Sequence, residues 1–231
     1  MLKTLQNAFK IKEVREKLLY TFFMLVVTRI GSQLPIPGVN TTFFQELFTR
    51  QSNDAFGFFN TITGGSFTNM SVFALSITPY ITSSIIMQLL TIAIPKLEEM
   101  QQEGEDGRKK ITAITRYVTI FLAVIESLGL VIGFDRGHYM TVTGPLGYLL
   151  VIITLTTGSA FVMWLGERVT EKGVGNGISI ILLINIVSRM PSDFSDLYTK
   201  FMKGQDIVDQ VIAGAIILAV ILVTTILVVL L

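Results

Sequence analysis

An all-α fold, a polytopic bundle of membrane-spanning helices, is predicted by three observations. Of 231 residues, 51% are hydrophobic and only 15% charged, too little charge for a soluble domain of ordinary surface composition. The apolar residues gather into six runs, most of them near the roughly 20 residues that a helix needs to cross the hydrocarbon core. Lysine and arginine concentrate in alternate connections between those runs, as the positive-inside rule requires.

The runs are Leu18 to Leu34, Ser71 to Ile94, Tyr117 to Phe134, Leu146 to Leu165, Gly173 to Met190 and Val211 to Leu231. In the fifth, only Ile178 to Met190 is strongly apolar, so it must borrow Gly173 to Gly177 to reach across, and a re-entrant segment is the alternative. Residues 191–210 read as an external loop. The sixth run closes on Leu231 with no polar flank, so the chain is expected to be incomplete.

Orientation follows from the charges. Lys3, Lys10, Lys12, Arg15 and Lys17 precede the first span; Lys96, Arg108, Lys109, Lys110 and Arg116 lie between the second and third; Arg168 and Lys172 follow the fourth. These twelve share one side, against six on the other: Arg29, Arg50, Arg136, Arg189, Lys200 and Lys203. The twelve-residue side is therefore read as cytoplasmic, and residues 1–17 as a cytoplasmic N-terminal segment. That segment has no apolar core with a small-residue cleavage site, so no removable signal peptide is expected. Trp164, beside Gly166 and Glu167, fits an aromatic anchor at the inner interface.

The connection from Gly31 to Met70 is long and neither plainly soluble nor plainly spanning. Pro35 and Pro37 in Leu34-Pro35-Ile36-Pro37-Gly38 force an extended exit from the first span. Phe56 to Met70 is too short to span, yet Phe56, Phe58, Phe59, Ile62 and Phe67 make it too apolar to lie in water. Broken by Gly64-Gly65, it reads as a half-helix tucked into protein. Broken backbone at membrane depth is tolerated only when buried in protein or lining a water-filled cavity, so an internal cavity is implied.

Composition excludes several chemistries. With no cysteine and one histidine, the chain offers no disulfide or thiolate site and no His/Cys metal cluster, and no cofactor is expected. A net charge of +1 without a basic tail gives no footprint for direct nucleic-acid binding. His138 lies in a polar connection beside Asp135 and Arg136 and reads as solvated.

Four features carry possible function. Gly173-Val174-Gly175-Asn176-Gly177 opens a helix, where backbone amides can cradle phosphate, but no Lys-Ser/Thr follows and no strand precedes. The competing reading is a tight turn in which Asn176 caps the fifth span. Glu126 sits in mid-span, where an ionisable group is either functional or a hydrogen-bonded link between helices. Arg29, near the end of the first span, reads as snorkelling to the outer interface. The second span mixes Ser76, Thr78, Pro79, Thr82, Ser83, Ser84 and Gln88 with Ile77, Ile81 and Ile85, which recur every four residues and share a face. That stripe suits bundle core, lipid contact or a pore lining.

Several motifs resemble the SecY family of bacterial protein-translocon channels. They are Arg29-Ile30-Gly31 with Pro35-Ile36-Pro37-Gly38; Thr78-Pro79-Tyr80-Ile81 through Gln88-Leu89-Leu90; Glu103-Gly104-Glu105-Asp106-Gly107-Arg108-Lys109-Lys110-Ile111; and Trp164-Leu165-Gly166-Glu167 running on to Gly173-Val174-Gly175-Asn176-Gly177-Ile178-Ser179. The resemblance implies an hourglass channel of ten helices in two inverted halves, of which this chain carries the first half and the start of the sixth helix. Residues 56–69 then correspond to the plug that fills the outer funnel. Ile77, Ile81 and Leu182 match pore-ring positions, Leu182 standing where isoleucine is expected. Ser83, Ser84, Gln88 and Glu126 fall where the family has its lateral gate and are expected to form a polar seam there. Arg108, Lys109, Lys110, Glu167, Arg168 and Lys172 fall on cytoplasmic loops that suit docking.

The implied function is to translocate unfolded secretory polypeptides across the cytoplasmic membrane and release hydrophobic segments laterally into lipid. The implied partners are the small membrane subunits SecE and SecG, the motor ATPase SecA, the ribosome, signal sequences and nascent chains, with the main ribosome and SecA contacts on later loops. The competing class is a secondary transporter with a broken helix at a midplane site, for which Glu126 is the one plainly intramembrane carboxylate. An intramembrane enzyme finds no His-Glu-x-x-His and no paired aspartates.

Overall fold

A computed structural model describes residues 11–41, 54–142, 144–201 and 207–230. Among them the elements are α1 (Lys12–Gly31), α2 (Asp54–Ile62), α3 (Thr78–Ala93), α4 (Pro95–Gln102), α5 (Glu105–Arg136), α6 (Pro145–Lys172), α7 (Gly177–Phe201) and α8 (Ile207–Leu230). The chain forms two compact units, one ending at Val187 and one beginning at Ser188, so the boundary falls within α7.

Among the described residues, three helices are long and apolar enough to cross a membrane: α5, α6 and the Gly177–Thr199 part of α7. A fourth crossing is available if α3 and α4 are taken as one broken span, although they are bent by 101°. Pro95 explains the bend, since the residue before a proline is driven out of the helical region, and Ile94 adopts φ −113°, ψ 110°.

In the first unit, α5 packs on α3, α4 and α6, and α6 also packs on α1 and α3. Lipid is as apolar as a leucine side chain, so such helices associate through close packing and interhelical hydrogen bonds rather than through escape from water. The buried face of α5 shows this in Thr115, Thr119, Ala123 and Ser127, small residues spaced four apart. The Ser83 and Thr119 hydroxyls lie 2.5 Å apart between α3 and α5. Ser127 meets Thr156 of α6 at 3.2 Å and also donates to the Ala123 carbonyl of its own helix. Outward faces carry Phe22, Leu89, Ile92, Phe121 and Ile153, all exposed, as a surface solvated by lipid requires.

Two apolar clusters lie inside this unit. One joins Ile36, Phe67, Met70, Leu75, Ala123, Val131, Phe134, Val151 and Leu155. The other joins Phe73, Ile77, Val162, Leu165 and Ile181. The extended exit from α1 is laced to both neighbouring connections. Ile36 N donates to Met70 O and Val72 N to Leu34 O, each at 2.8 Å, around an antiparallel bridge between Pro35 and Ser71. Asn40 N donates to Tyr139 O and Thr141 N to Gly38 O, each at 2.9 Å, around a bridge between Val39 and Met140. The backbone groups freed by the two prolines thus find partners inside the protein, as broken backbone in a membrane protein must.

Several boundaries differ from the expected ones. Residues 71–77 form turns, with Ser76 at φ 51°, so the helix of the second apolar run begins only at Thr78. The stretch Glu105 to Arg116 is helical, extending α5 well before Tyr117: Glu105 and Asp106 occupy its first turn, where carboxylates favour a helix N-terminus, and its charged side chains face solvent. The external loop expected at 191–210 is helical as far as Phe201, and α8 starts at Ile207. Pro191 does not end α7: Ser192 Oγ donates to the Arg189 carbonyl at 2.8 Å and Arg189 Nη2 donates to Asp193 Oδ1 at 3.1 Å, so side chains support the turn around it. In the second unit α8 is almost wholly apolar from Gly214 to Leu230.

Candidate functional site

The broken segment begins with α2 and continues as turns from Thr63 to Met70. Gly64 and Gly65 both adopt left-handed backbone, φ 66° and 84°, which reverses the chain. Asn60 is buried and accepts on Oδ1 from Thr68 N at 3.2 Å, tying the two arms together. Phe59 meets Phe67 edge to face with ring centroids 4.9 Å apart. Phe67 is buried in the first cluster, Ile62 is half-buried, and Phe58 is 70% exposed. Phe56 lies on α2 with its side chain outside the described residues. The segment therefore seats one apolar side on the unit and turns Phe58 away from it.

Arg29 corrects its expected role. Rather than snorkelling free, its guanidinium donates from Nη1 and Nη2 to the Gly64 carbonyl at 3.3 and 3.4 Å. The reason is local: the glycine turn points an unpaired carbonyl at α1, and a buried carbonyl without a donor is costly. A Cβ added at Gly64 would lie 2.7 Å from Arg29 Nη1 and 2.9 Å from Asn185 Cα, so the turn is also tightly enclosed. Asn185, itself buried on α7, donates to Ser76 Oγ at 3.2 Å. The broken segment, the turn before α3 and the middle of α7 are thus joined.

Ile77, Ile81 and Leu182 come together in the second cluster. They are not equivalent. Ile77 is completely buried, whereas Ile81 and Leu182 are half-buried and retain surface. Ile85, the next residue of the stripe, is exposed.

The polar residues expected along one seam divide. Ser83 is fully buried, donates to Tyr80 O at 2.9 Å and is bonded to Thr119, so it joins two helices of the same unit. Ser84 and Gln88 line a cavity between α3, α4 and α5 instead. Glu126 is half-buried on α5 and is not among the residues around that cavity.

The loop residues are largely engaged. Lys110 pairs with Glu103 at 3.1 Å and Lys109 with Asp106 at 3.8 Å. Glu167 accepts from Arg116 Nε at 2.8 Å, linking α6 to α5. Arg168 pairs with Glu171 at 2.7 Å and lies 5.7 Å over the Trp164 ring. Arg108 and Lys172 are exposed.

The glycine turn before α7 is a cap, not a phosphate cradle. Asn176 Oδ1 accepts from Ile178 N at 3.0 Å and Ser179 N at 3.3 Å. Thr170 Oγ1 accepts from Gly177 N at 2.9 Å, and Thr21 Oγ1 from Val174 N at 3.1 Å. The amides that would hold an anion are already taken. A Cβ at Gly177 would lie 2.1 Å from Gly166 O, so glycine lets α7 approach α6.

Sequence reasoning missed Thr21, Thr119, Asn185 and Arg116. Hydroxyls on apolar helices gave a general signal for helix contact; nothing in one sequence paired them. Arg29 did give a signal, as a cation within an apolar run.

Apolar helices of spanning length, with a broken segment and an aliphatic cluster packed among them, define a multi-pass membrane protein. The SecY family model matches residues 71–231. The protein translocase subunit SecY of Staphylococcus carnosus (strain TM300) is 45% identical over 209 residues, covering 89% of this chain and 48% of that protein. That of Bacillus licheniformis is 42% identical over 228 residues, covering 96% of this chain and 52% of that protein. Among solved structures, Sec61 in the canine ribosome-channel complex from the endoplasmic reticulum aligns with TM-score 0.53 at 22% identity, over 86% of this chain and 43% of that one. A structure described as that of a protein conducting channel aligns with TM-score 0.51 at 22% identity, over 86% of this chain and 42% of that one. The chain belongs to the SecY family. It spans about half the length of the curated relatives it matches. The transporter reading is not favoured by these matches.

Proposed function

We propose that the chain forms one half of the pore of a protein-conducting channel, which moves unfolded secretory polypeptides across the cytoplasmic membrane and releases hydrophobic segments sideways into lipid. The observation that carries this reading is the placement of the broken segment. It is held by the Arg29 contact to Gly64 and reaches, through Asn185 and Ser76, the turn that leads into Ile77 and Ile81. A plug over an aliphatic constriction needs that proximity.

The physics of the two parts suits their roles. An aliphatic constriction resists ions by dewetting, and its side chains rearrange around a passing chain because they form no directional bonds. Ile81 and Leu182 supply that surface here, while Ile77 supports them from behind. A plug must be seated firmly enough to seal and weakly enough to leave. The two long Arg29 contacts and the seating of Phe67 in the first cluster meet both demands.

The N-terminus is placed in the cytoplasm on the distribution of lysine and arginine. SecE and SecG as membrane partners, with SecA and the ribosome on the cytoplasmic side, follow from the family. The ends of α5 and α6 around Arg116, Glu167 and Arg168 are the exposed charged surface this half offers there. Nothing in the reading calls for catalysis by this chain.

The test is deletion of residues 56–69 in a subunit of the relatives' full length, reconstituted in planar bilayers with its membrane partners. Secretion is expected to persist while resting ion conductance rises at least several-fold. Unchanged conductance would contradict a plug.

A further inference from the structure

Among the described residues of α7, Asn185 is the one buried polar side chain, 2% exposed and flanked by Ile184 and Ile186. Burying an amide among aliphatic neighbours is costly unless it is hydrogen-bonded, so this position calls for a reason.

Asn185 meets two parts of the molecule at once. Its Nδ2 donates to Ser76 Oγ at 3.2 Å, in the turn that leads to Ile77. Its backbone carries the glycine turn of the broken segment: a Cβ on Gly64 would lie 2.9 Å from Asn185 Cα and 3.0 Å from Asn185 Cβ. Leu182, of the second cluster, lies three residues earlier and so on the same side of α7. Ser76 holds φ 51°, a left-handed conformation disfavoured for any residue with a side chain, so the turn needs support from outside. Asn185 supplies it. The bond also depends on cover, because a hydrogen bond shielded from water is stronger than one that water competes for. Gly64, itself buried, lies over Asn185 and belongs to the segment read above as displaceable.

We propose that Asn185 is a positioning residue that couples the seat of the broken segment to the aliphatic cluster. With the segment in place, the Asn185 bond holds the Ser76 turn and, through it, Ile77. When the segment leaves, water reaches the amide, the bond weakens and the turn is freed to rearrange. This inference rests on the reading of the segment as a plug.

The test is amide exchange at Ala74, Ser76 and Thr78, whose acceptors are the carbonyls of Ser71, Phe73 and Leu75 and so lie outside the segment. Four subunits of the relatives' full length would be compared in complex with their membrane partners: unaltered, lacking residues 56–69, Asn185→Ala, and both together. Deletion alone and Asn185→Ala alone are each expected to raise exchange at these amides about fivefold, and the combination to exceed either by less than twofold. If the two effects multiplied, they would be independent and the coupling would be overturned. Unchanged exchange in either single variant would overturn it too. Should Asn185→Ala also loosen α5 and α6, Ser76→Ala, which removes only the acceptor hydroxyl, takes its place: a fivefold rise supports the proposal and no rise overturns it. Exchange is read without conduction. If deletion left resting conductance unchanged while exchange followed the expected pattern, the plug reading would fall and the coupling would stand.

Discussion

The glycine turn before α7 and the broken segment before α3 are both short, glycine-bearing and tied to α1, yet they are held in different ways. The turn brings backbone against backbone, with Gly177 against Gly166, and its amides are taken by Thr21, Thr170 and Asn176. The broken segment is braced internally by an edge-to-face phenylalanine pair and one buried asparagine, and it is seated on the unit by buried Phe67, the long Arg29 contacts and the Ile36 amide donated to the Met70 carbonyl. Interlocked backbone has no intermediate position, whereas side-chain tethers can be released one at a time. We propose that the first region is scaffold and that the second can be displaced.

The comparison can be broken at particular residues. Phe67→Ala should destabilise the seating of the broken segment most, by about 3 kcal/mol, because Phe67 is buried and leaves a cavity. Phe58→Ala, on the exposed side, should cost less than about 0.5 kcal/mol. Denaturant unfolding in detergent, with proteolysis at the segment, measures both. Equal effects would mean the segment is seated the other way round.

Gly177→Ala should cost about 1–3 kcal/mol by forcing α7 from α6, and its loss should appear as a lower melting temperature of the whole unit. If only local exchange near the turn changed, the turn would not be scaffold.

Arg29→Gln should cost only about 1 kcal/mol of stability, since contacts at 3.3 and 3.4 Å are weak for a charged donor. Amide exchange from Asn60 to Ser71 should rise roughly fivefold while α5 and α6 stay protected. Uniform protection would remove Arg29 from the account.

Much of this was legible in the sequence, for reasons that differ by region. The apolar runs around α5 and α6 are long enough to announce themselves, and Asn176 was readable as a cap because its role is local. Pro95 marked a true break. Pro191 did not, because Ser192 and Asp193 support the turn that it disturbs, and that compensation is visible only in three dimensions. The half-helix was legible as an anomaly, too apolar for water and too short to span. Its attachment was not, because the Arg29 to Gly64 contact joins residues 35 apart through a backbone carbonyl, which leaves no mark on residue type. Ser83 shows the same limit: a serine on an apolar helix says that it has a partner, but not that the partner is Thr119.

The most direct test of the account places single cysteines at Ile81, Leu182 and Ile77 in a subunit of the relatives' full length, with a secretory chain arrested part-way through. Ile81 and Leu182 should crosslink strongly to the arrested chain, and fully buried Ile77 should crosslink weakly. Absence of crosslinks at Ile81 and Leu182, with crosslinks at the outward-facing Ile92, would contradict the pore assignment.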